Sequence, residues 1–328
     1  MSFCTTAMNR LHHLKETLPE NLQSCKDYDD CEFVILDYNS TDGLEEWLKN
    51  SSLSLDPKIK YYKNKEATAY KRSHSRNMAM RLAEGEVLVN LDADNFLGNG
   101  FINFIFETFE SRTDTFIAPD EAGVSDVFGK MCFRKDHFEK MGGYDEQIEQ
   151  YGFEDIDLRN RLKMSGLEVQ VFSNPEFAKA ITHSEKERVE NESIYKNLAN
   201  LYLQKISPSE TQVCFIFKDQ TFEMAIISDS LYEKKNETVQ LLEPKKRYNL
   251  AENSLMRGNL SELNLSKFEI LNNADHQTKT IHFYSQIKNK LQAEQKLIVN
   301  QAVANSGKNI GQGIVFLNFD YSKPIILD

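Results

Sequence analysis

Two carboxylates one residue apart, Asp92 and Asp94, close the apolar run Val87-Leu88-Val89-Asn90-Leu91. Oxygen ligands on a short turn suit a hard divalent cation, and such a cation can neutralise a diphosphate. The same two residues read equally well as a cap for a following helix. A second acidic group, Glu154-Asp155 with Asp157 close behind, favours the positive end of a helix dipole, where a first-turn carboxylate is held rigidly and presented outward. His183, taken alone, reads as a satisfied or solvated side chain. The five cysteines, Cys4, Cys25, Cys31, Cys132 and Cys214, are odd in number and scattered, with none of the close pairs that clamp zinc, so they read as buried apolar residues.

The elements that must position these groups follow from periodicity. Residues 1–6 read as a strand, and Leu11, Leu14, Leu18 and Leu22 lie on one helix face that Pro19 should kink or restart. Phe33-Val34-Ile35-Leu36 is a fully apolar run, as a central parallel strand requires. A helix near 44–48, a strand over 58–62, a helix over 73–83 stopped by Gly85, and the strand over 87–91 complete an alternation that predicts a mostly parallel sheet with helices on both faces. Ligands of such a sheet bind beyond the carboxyl ends of its strands, which places Asp37 and Asp94 on one rim. A second block contains a helix to Met164, a strand over 169–172, a strand-like stretch over 177–181 and a helical stretch over 194–203.

Lys205-Ile206-Ser207-Pro208-Ser209 reads as a linker, so the domains are expected at 1–208 and 209–328. The second is expected to be a smaller α+β or mainly β domain, with strands over 213–217, 222–227, 238–242, 280–284 and 314–319 and a helix over 287–297. It contains no cluster of titratable residues with catalytic spacing.

With 328 residues, 40% hydrophobic and 27% charged, the chain has an ordinary globular composition and a length that predicts one large domain with an appendage, or two domains. Its net charge of −11 disfavours nucleic acid and anionic membranes as partners. No apolar run approaches the ~20 residues of a membrane span. The first residues lack a secretory signal, and the expected location is cytoplasmic.

Thr5-Thr6 with Asn9, Asp37-Tyr38-Asn39-Ser40-Thr41-Asp42, Ser75-Arg76-Asn77 feeding Asp92-Ala93-Asp94, Gly142-Gly143-Tyr144-Asp145-Glu146 and Gly152-Phe153-Glu154-Asp155 occur in one order. In that order and spacing, over roughly residues 1–205, the chain resembles family-2-type glycosyltransferases of the GT-A fold. The stretch from Gly142 through Glu154-Asp155 to His183-Ser184 is also similar to the catalytic domains of β-1,4-galactosyltransferases and polypeptide N-acetylgalactosaminyltransferases.

The resemblance implies that Asp37 accepts a hydrogen bond from a uracil ring and that Thr5, Asn9, Asn39, Arg76 and Asn77 contact the donor nucleotide. By the same match Asp92 touches the ribose or a metal-bound water, while Asp94 and His183 ligate a metal. A carboxylate, an imidazole and diphosphate oxygens suit Mn2+, with Mg2+ as the second candidate. Asp155 is implied as the base that deprotonates the acceptor hydroxyl, and Glu154 as a contact to sugar hydroxyls. Tyr38 and Asn39 stand where many such enzymes carry another acid and a glycine, so the donor sugar is left open.

The expected activity is therefore metal-dependent, inverting transfer of galactose, N-acetylgalactosamine, glucose or N-acetylglucosamine from a UDP-sugar to a glycan or lipid-linked hydroxyl, as in polysaccharide biosynthesis. A retaining transferase and an inactive sugar-nucleotide or glycan-binding module are the alternatives. A nucleotidyltransferase is disfavoured because its glycine-rich, basic first loop is missing.

Overall fold

The computed structural model describes residues 1–120, 125–230, 232–235, 238–241 and 247–328. They form two compact units: Met1–Glu149, Glu154–His183 and Lys296–Asp328 in the first, and Gln150–Phe153 with Ser184–Gln295 in the second.

The first unit alternates strand and helix in β1 (Ser2–Ala7), α1 (Leu11–Ser24), β2 (Glu32–Tyr38), α2 (Leu44–Asn50), β3 (Ile59–Asn64), α3 (Arg72–Leu82) and β4 (Val87–Asn90). It continues through α4 (Phe101–Ser111), β5 (Thr115–Pro119), β6 (Cys132–Arg134), α5 (Lys135–Lys140), α6 (Glu154–Met164) and β7 (Glu168–Phe172). β3, β2, β1 and β4 lie side by side in parallel, and β6 then runs antiparallel between β4 and β5, with β7 parallel to β5 at the edge. The chain order reverses at β1, whose neighbours are β2 and β4, so the crevice for a ligand opens at the carboxyl ends of those three strands.

Burial on both faces explains the uninterrupted apolar runs. Phe3, Phe33, Ile35 and Val89 face one core with Leu14, Leu18, Leu48, Phe101 and Ile105, whereas Cys4, Val34, Leu36 and Leu88 face another with Met78, Phe133, Phe138, Leu158 and Leu162. Each such side chain contributes about 1.5–3 kcal/mol. Pro19 neither kinks nor restarts a helix: α1 runs through it, because Pro19 and Lys15, whose carbonyl loses its donor, both face solvent.

The second unit is built on an antiparallel sheet whose centre is β8 (Leu198–Ser207), β9 (Glu210–Phe217) and β10 (Thr221–Asp229). The α/β class with a smaller, largely antiparallel second part thus agrees with the expectation. The linker expected at 205–209 is instead the turn of the β8–β9 hairpin, where Ser207 faces Glu210 across Pro208 and Ser209. The helical stretch expected over 194–203 is mostly β8, and the strand expected over 280–284 lies inside the helix Ala274–Ile298. There Ile281, Tyr284 and Ile287 recur at three-residue spacing and pack on Val213, Phe215, Ala225 and Ile227. Of the strand expected over 238–242, Thr238–Leu241 is observed, while residue 242 lies outside the described residues.

The expected boundary near 208 therefore falls within the second unit. Beyond residue 295 the chain counts again with the first unit, where Gly313–Leu317 pairs antiparallel with β3 and with Pro324–Leu327, extending the sheet to nine strands.

Candidate active site

At the rim of the first sheet, polar side chains first fasten the loops. Thr5 Oγ1 donates to the Leu91 carbonyl at 2.7 Å, joining β1 to the end of β4. Asn9, at φ 59°, accepts the Thr41 amide on Oδ1 at 2.8 Å, and Asn39, at φ 63°, donates Nδ2 to the Ala67 carbonyl at 2.7 Å. Asparagine tolerates this left-handed backbone better than most residues. Thr5, Asn9 and Asn39 thus shape the crevice.

Asp37 stands at the predicted strand end, but its side chain is fully buried and committed to its own chain. Oδ2 accepts from Tyr61 Oη at 2.7 Å and Lys63 Nζ at 2.9 Å, while Oδ1 accepts from the Ser40 amide at 2.7 Å. Asp37 thus neutralises a buried lysine and fixes the loop after β2. Lys63 is the register partner of Asp37 on β3, with Tyr61 two residues earlier on the same face. An acid and a base on adjacent strands were the signal that reading single motifs passed over.

Arg76 is likewise no free diphosphate contact. Only 2% of its side chain is exposed, and its guanidinium gathers three carboxylates from distant segments. Nη1 donates to Glu154 Oε1 at 2.9 Å and Asp155 Oδ1 at 2.7 Å, and Nη2 to Asp92 Oδ1 at 2.8 Å and Oδ2 at 3.1 Å. The planar fork suits this multiple pairing in a way a lysine could not. Asn77 is fully buried: it accepts the Tyr144 amide at 2.8 Å and donates to the Tyr144 carbonyl and to Glu146. It holds the Gly142-Gly143-Tyr144-Asp145-Glu146 turn, and Lys296 pairs with both Asp145 and Asp157.

Glu154 and Asp155 open α6, directly after Phe153 at φ 69°. Burial pushes the Asp155 carboxyl well above the usual carboxylate range; Arg76 opposes the shift, and neighbouring Glu154 and Asp92 reinforce it. For Asp92 burial works in the same upward sense, but Arg76 and Arg72 outweigh it and hold the carboxyl low. One guanidinium therefore holds carboxyls of opposite tendency. Glu154 Oε2 is buried with no hydrogen-bond partner among the described residues.

Gly129 is a site residue that motif reading missed. A Cβ there would lie 2.6 Å from Asp92 Oδ2, 3.0 Å from Arg76 Nη2 and 3.2 Å from Asp155 Oδ2, so only glycine lets the backbone close over the cluster.

Asp94 and His183 meet as expected, with Nε2 of the imidazole 2.9 Å from Asp94 Oδ2. The approach is made by backbone pairing and not by a regular strand: the Ile181 amide donates to the Asp94 carbonyl at 2.8 Å and the Phe96 amide to the Lys179 carbonyl at 3.1 Å, which together form a single bridge between Asn95 and Ala180. A carboxylate and an imidazole about 3 Å apart are spaced as adjacent ligands of one ion at the ~2.1 Å typical of such bonds. The pair offers one oxygen and one nitrogen donor, so the residues fit a divalent metal.

Residues 2–149 match the family model for glycosyl transferase family 2, and residues 124–186 match one described as N-terminal domain of galactosyltransferase. Over residues 2–186 the chain is thus similar to glycosyltransferase domains. Among solved structures, the mannosyltransferase PcManGT from Pyrobaculum calidifontis, in complex with GDP-Man and Mn2+, is 20% identical over 53% of this chain and 54% of that one, with a TM-score of 0.45. TarS 1-349 of S. aureus is 15% identical over 57% and 61%, with a TM-score of 0.43. The catalytic domain of Drosophila beta1,4galactosyltransferase 7, in complex with xylobiose, is 15% identical over 59% and 74%, with a TM-score of 0.42. The chain thus spans 54% and 61% of the first two. No curated protein matches it.

Proposed function

We propose that the protein is a metal-dependent, inverting glycosyltransferase acting on a UDP-sugar and a glycan or lipid-linked hydroxyl. The observation that carries this reading is the placement of the Arg76-held trio Asp92, Glu154 and Asp155 in the same unit and at the same sheet rim as the Asp94–His183 pair. Asp94 and His183 would hold the metal, which supplies the positive charge that stabilises a departing nucleoside diphosphate. Mn2+ suits the mixed oxygen and nitrogen donors, with Mg2+ second.

Asp155 Oδ takes the proton of the acceptor hydroxyl as that oxygen attacks the anomeric carbon. Its raised affinity for a proton makes it a stronger base than an ordinary carboxylate, and Arg76 fixes its orientation. Glu154, whose Oε2 is unpartnered among the described residues, can accept from a sugar hydroxyl. Asp92, held low by Arg76, stays ionised and accepts from the ribose or from a bound water. The uridine nucleotide rests on the order of the motifs. A screen of UDP- and GDP-sugars with and without Mn2+, read as nucleoside diphosphate release, tests the proposal: metal-dependent release from a UDP-sugar supports it, and binding without turnover of any donor favours an inactive module.

A further inference from the structure

Lys130 lies one residue beyond Gly129 and is completely buried. Its Nζ donates to three carbonyls, those of Phe96 at 2.7 Å, Leu97 at 3.0 Å and Phe177 at 2.7 Å, and sits 4.1 Å from the centre of the Phe101 ring. Three ammonium donors thus meet three acceptors over a ring face. Phe96 and Leu97 continue the loop that leaves Asp94, and Phe177 belongs to the turn Pro175–Ala178 that leads toward His183. The two segments also touch at Gly98, where a Cβ would lie 1.9 Å from the Glu176 carbonyl oxygen.

We propose that Lys130 is a positioning residue for the cation site, fastening the segment that carries His183 to the loop that carries Asp94. This inference rests on the reading of Asp94 and His183 as metal ligands. Beyond these contacts the segments are joined by the two backbone hydrogen bonds that make up the isolated Asn95–Ala180 bridge and by Lys179 Nζ 4.2 Å from the centre of the Phe96 ring, a short seam for holding two ligand atoms 2.9 Å apart. Burial of an ammonium is costly, and an apolar side chain of the same length would fill the space at lower cost. What an apolar chain cannot do is bind carbonyls of both segments at once. A thioether at this position therefore keeps the packing and loses the join.

The test uses the full chain and Mn2+ alone, with binding read from loss of the free-ion electron paramagnetic resonance signal and folding read from a cooperative melt. Lys130→Met is expected to fold and to bind Mn2+ at least tenfold more weakly than the wild type. In Lys130→Ala, propylammonium replaces the deleted atoms and should restore affinity, whereas propanol of similar size should not. Wild-type affinity in Lys130→Met overturns the inference, as does equal rescue by propanol, which would make packing sufficient. Failure of both variants to fold, with or without propylammonium, would assign Lys130 to the stability of the unit and also overturn it. If the wild type binds no divalent cation, the metal reading fails together with this inference; unchanged binding by folded variants sinks the inference alone.

Discussion

Asp155 carries the sharpest expectation at the scale of single residues. Asp155→Asn keeps the size and removes proton acceptance, so transfer should fall by about two to four orders of magnitude with little change in nucleotide affinity. Because burial raises the carboxyl well above the usual carboxylate range, the wild-type rate should drop as pH falls through that raised value, and the residual rate of the variant should lack this limb. The sign for stability is opposite to that of an ordinary paired acid. A raised folded pKa means that the folded state binds more protons than the unfolded one as pH rises from the ordinary value, so the contribution is present at low pH and lost through the folded pKa. Asp155→Asn should therefore melt at the same temperature as the wild type or higher at neutral pH, as calorimetry can show. Asp37 behaves differently. Asp37→Ala strands the buried Lys63, which should cost about 3–5 kcal/mol in denaturant unfolding. Nucleotide affinity of the folded variant should stay near that of the wild type.

Elements explain which parts of the site could be read ahead of the structure. The strand carrying Asp37, the strand that leads to Asp92, the helix bearing Arg76 and Asn77, and the acidic opening of α6 all follow from local periodicity and stops. Partners did not follow, because they come from across the fold: Arg76 meets Glu154 and Asp155 from 78 and 79 residues away. The backbone at Gly129 closes over that meeting point, a role invisible in a sequence where a glycine between Phe128 and Lys130 has no periodic meaning. Gly129→Ala should push Asp92 and Asp155 off the guanidinium. Overpacking of this kind costs about 1–3 kcal/mol, and release of the nucleoside diphosphate should fall at least tenfold in a protein that still melts cooperatively. Near-normal turnover would show that the cluster tolerates the displacement.

At the scale of the molecule, the return of the chain was the least legible feature. Residues 314–319 are recognisable as a strand, yet nothing local says that they pair with β3, whose own sequence lies some 250 residues earlier. The helix Ala274–Ile298 was obscured in part because Thr280-Ile281-His282-Phe283-Tyr284 is rich in strand-favouring types, and burial against the second sheet overrode that preference. A chain cut after Pro208 should therefore fail as an enzyme by failing to fold. It leaves β3 as an open edge and strips Val315 and Leu327 from the core around Val34, Leu36 and Met78. A soluble product with a cooperative melt and nucleotide-sugar hydrolysis would contradict this. The central claim is that one attack on the anomeric carbon, with Asp155 as base, replaces a nucleoside diphosphate by a hydroxyl oxygen. The most direct measurement is the proton NMR spectrum of the product formed by the wild-type protein with Mn2+ and an α-linked UDP-sugar, recorded before the sugar mutarotates or on a non-mutarotating glycoside. The account predicts a β-anomeric signal, absent without the metal; an α-linked product would contradict it.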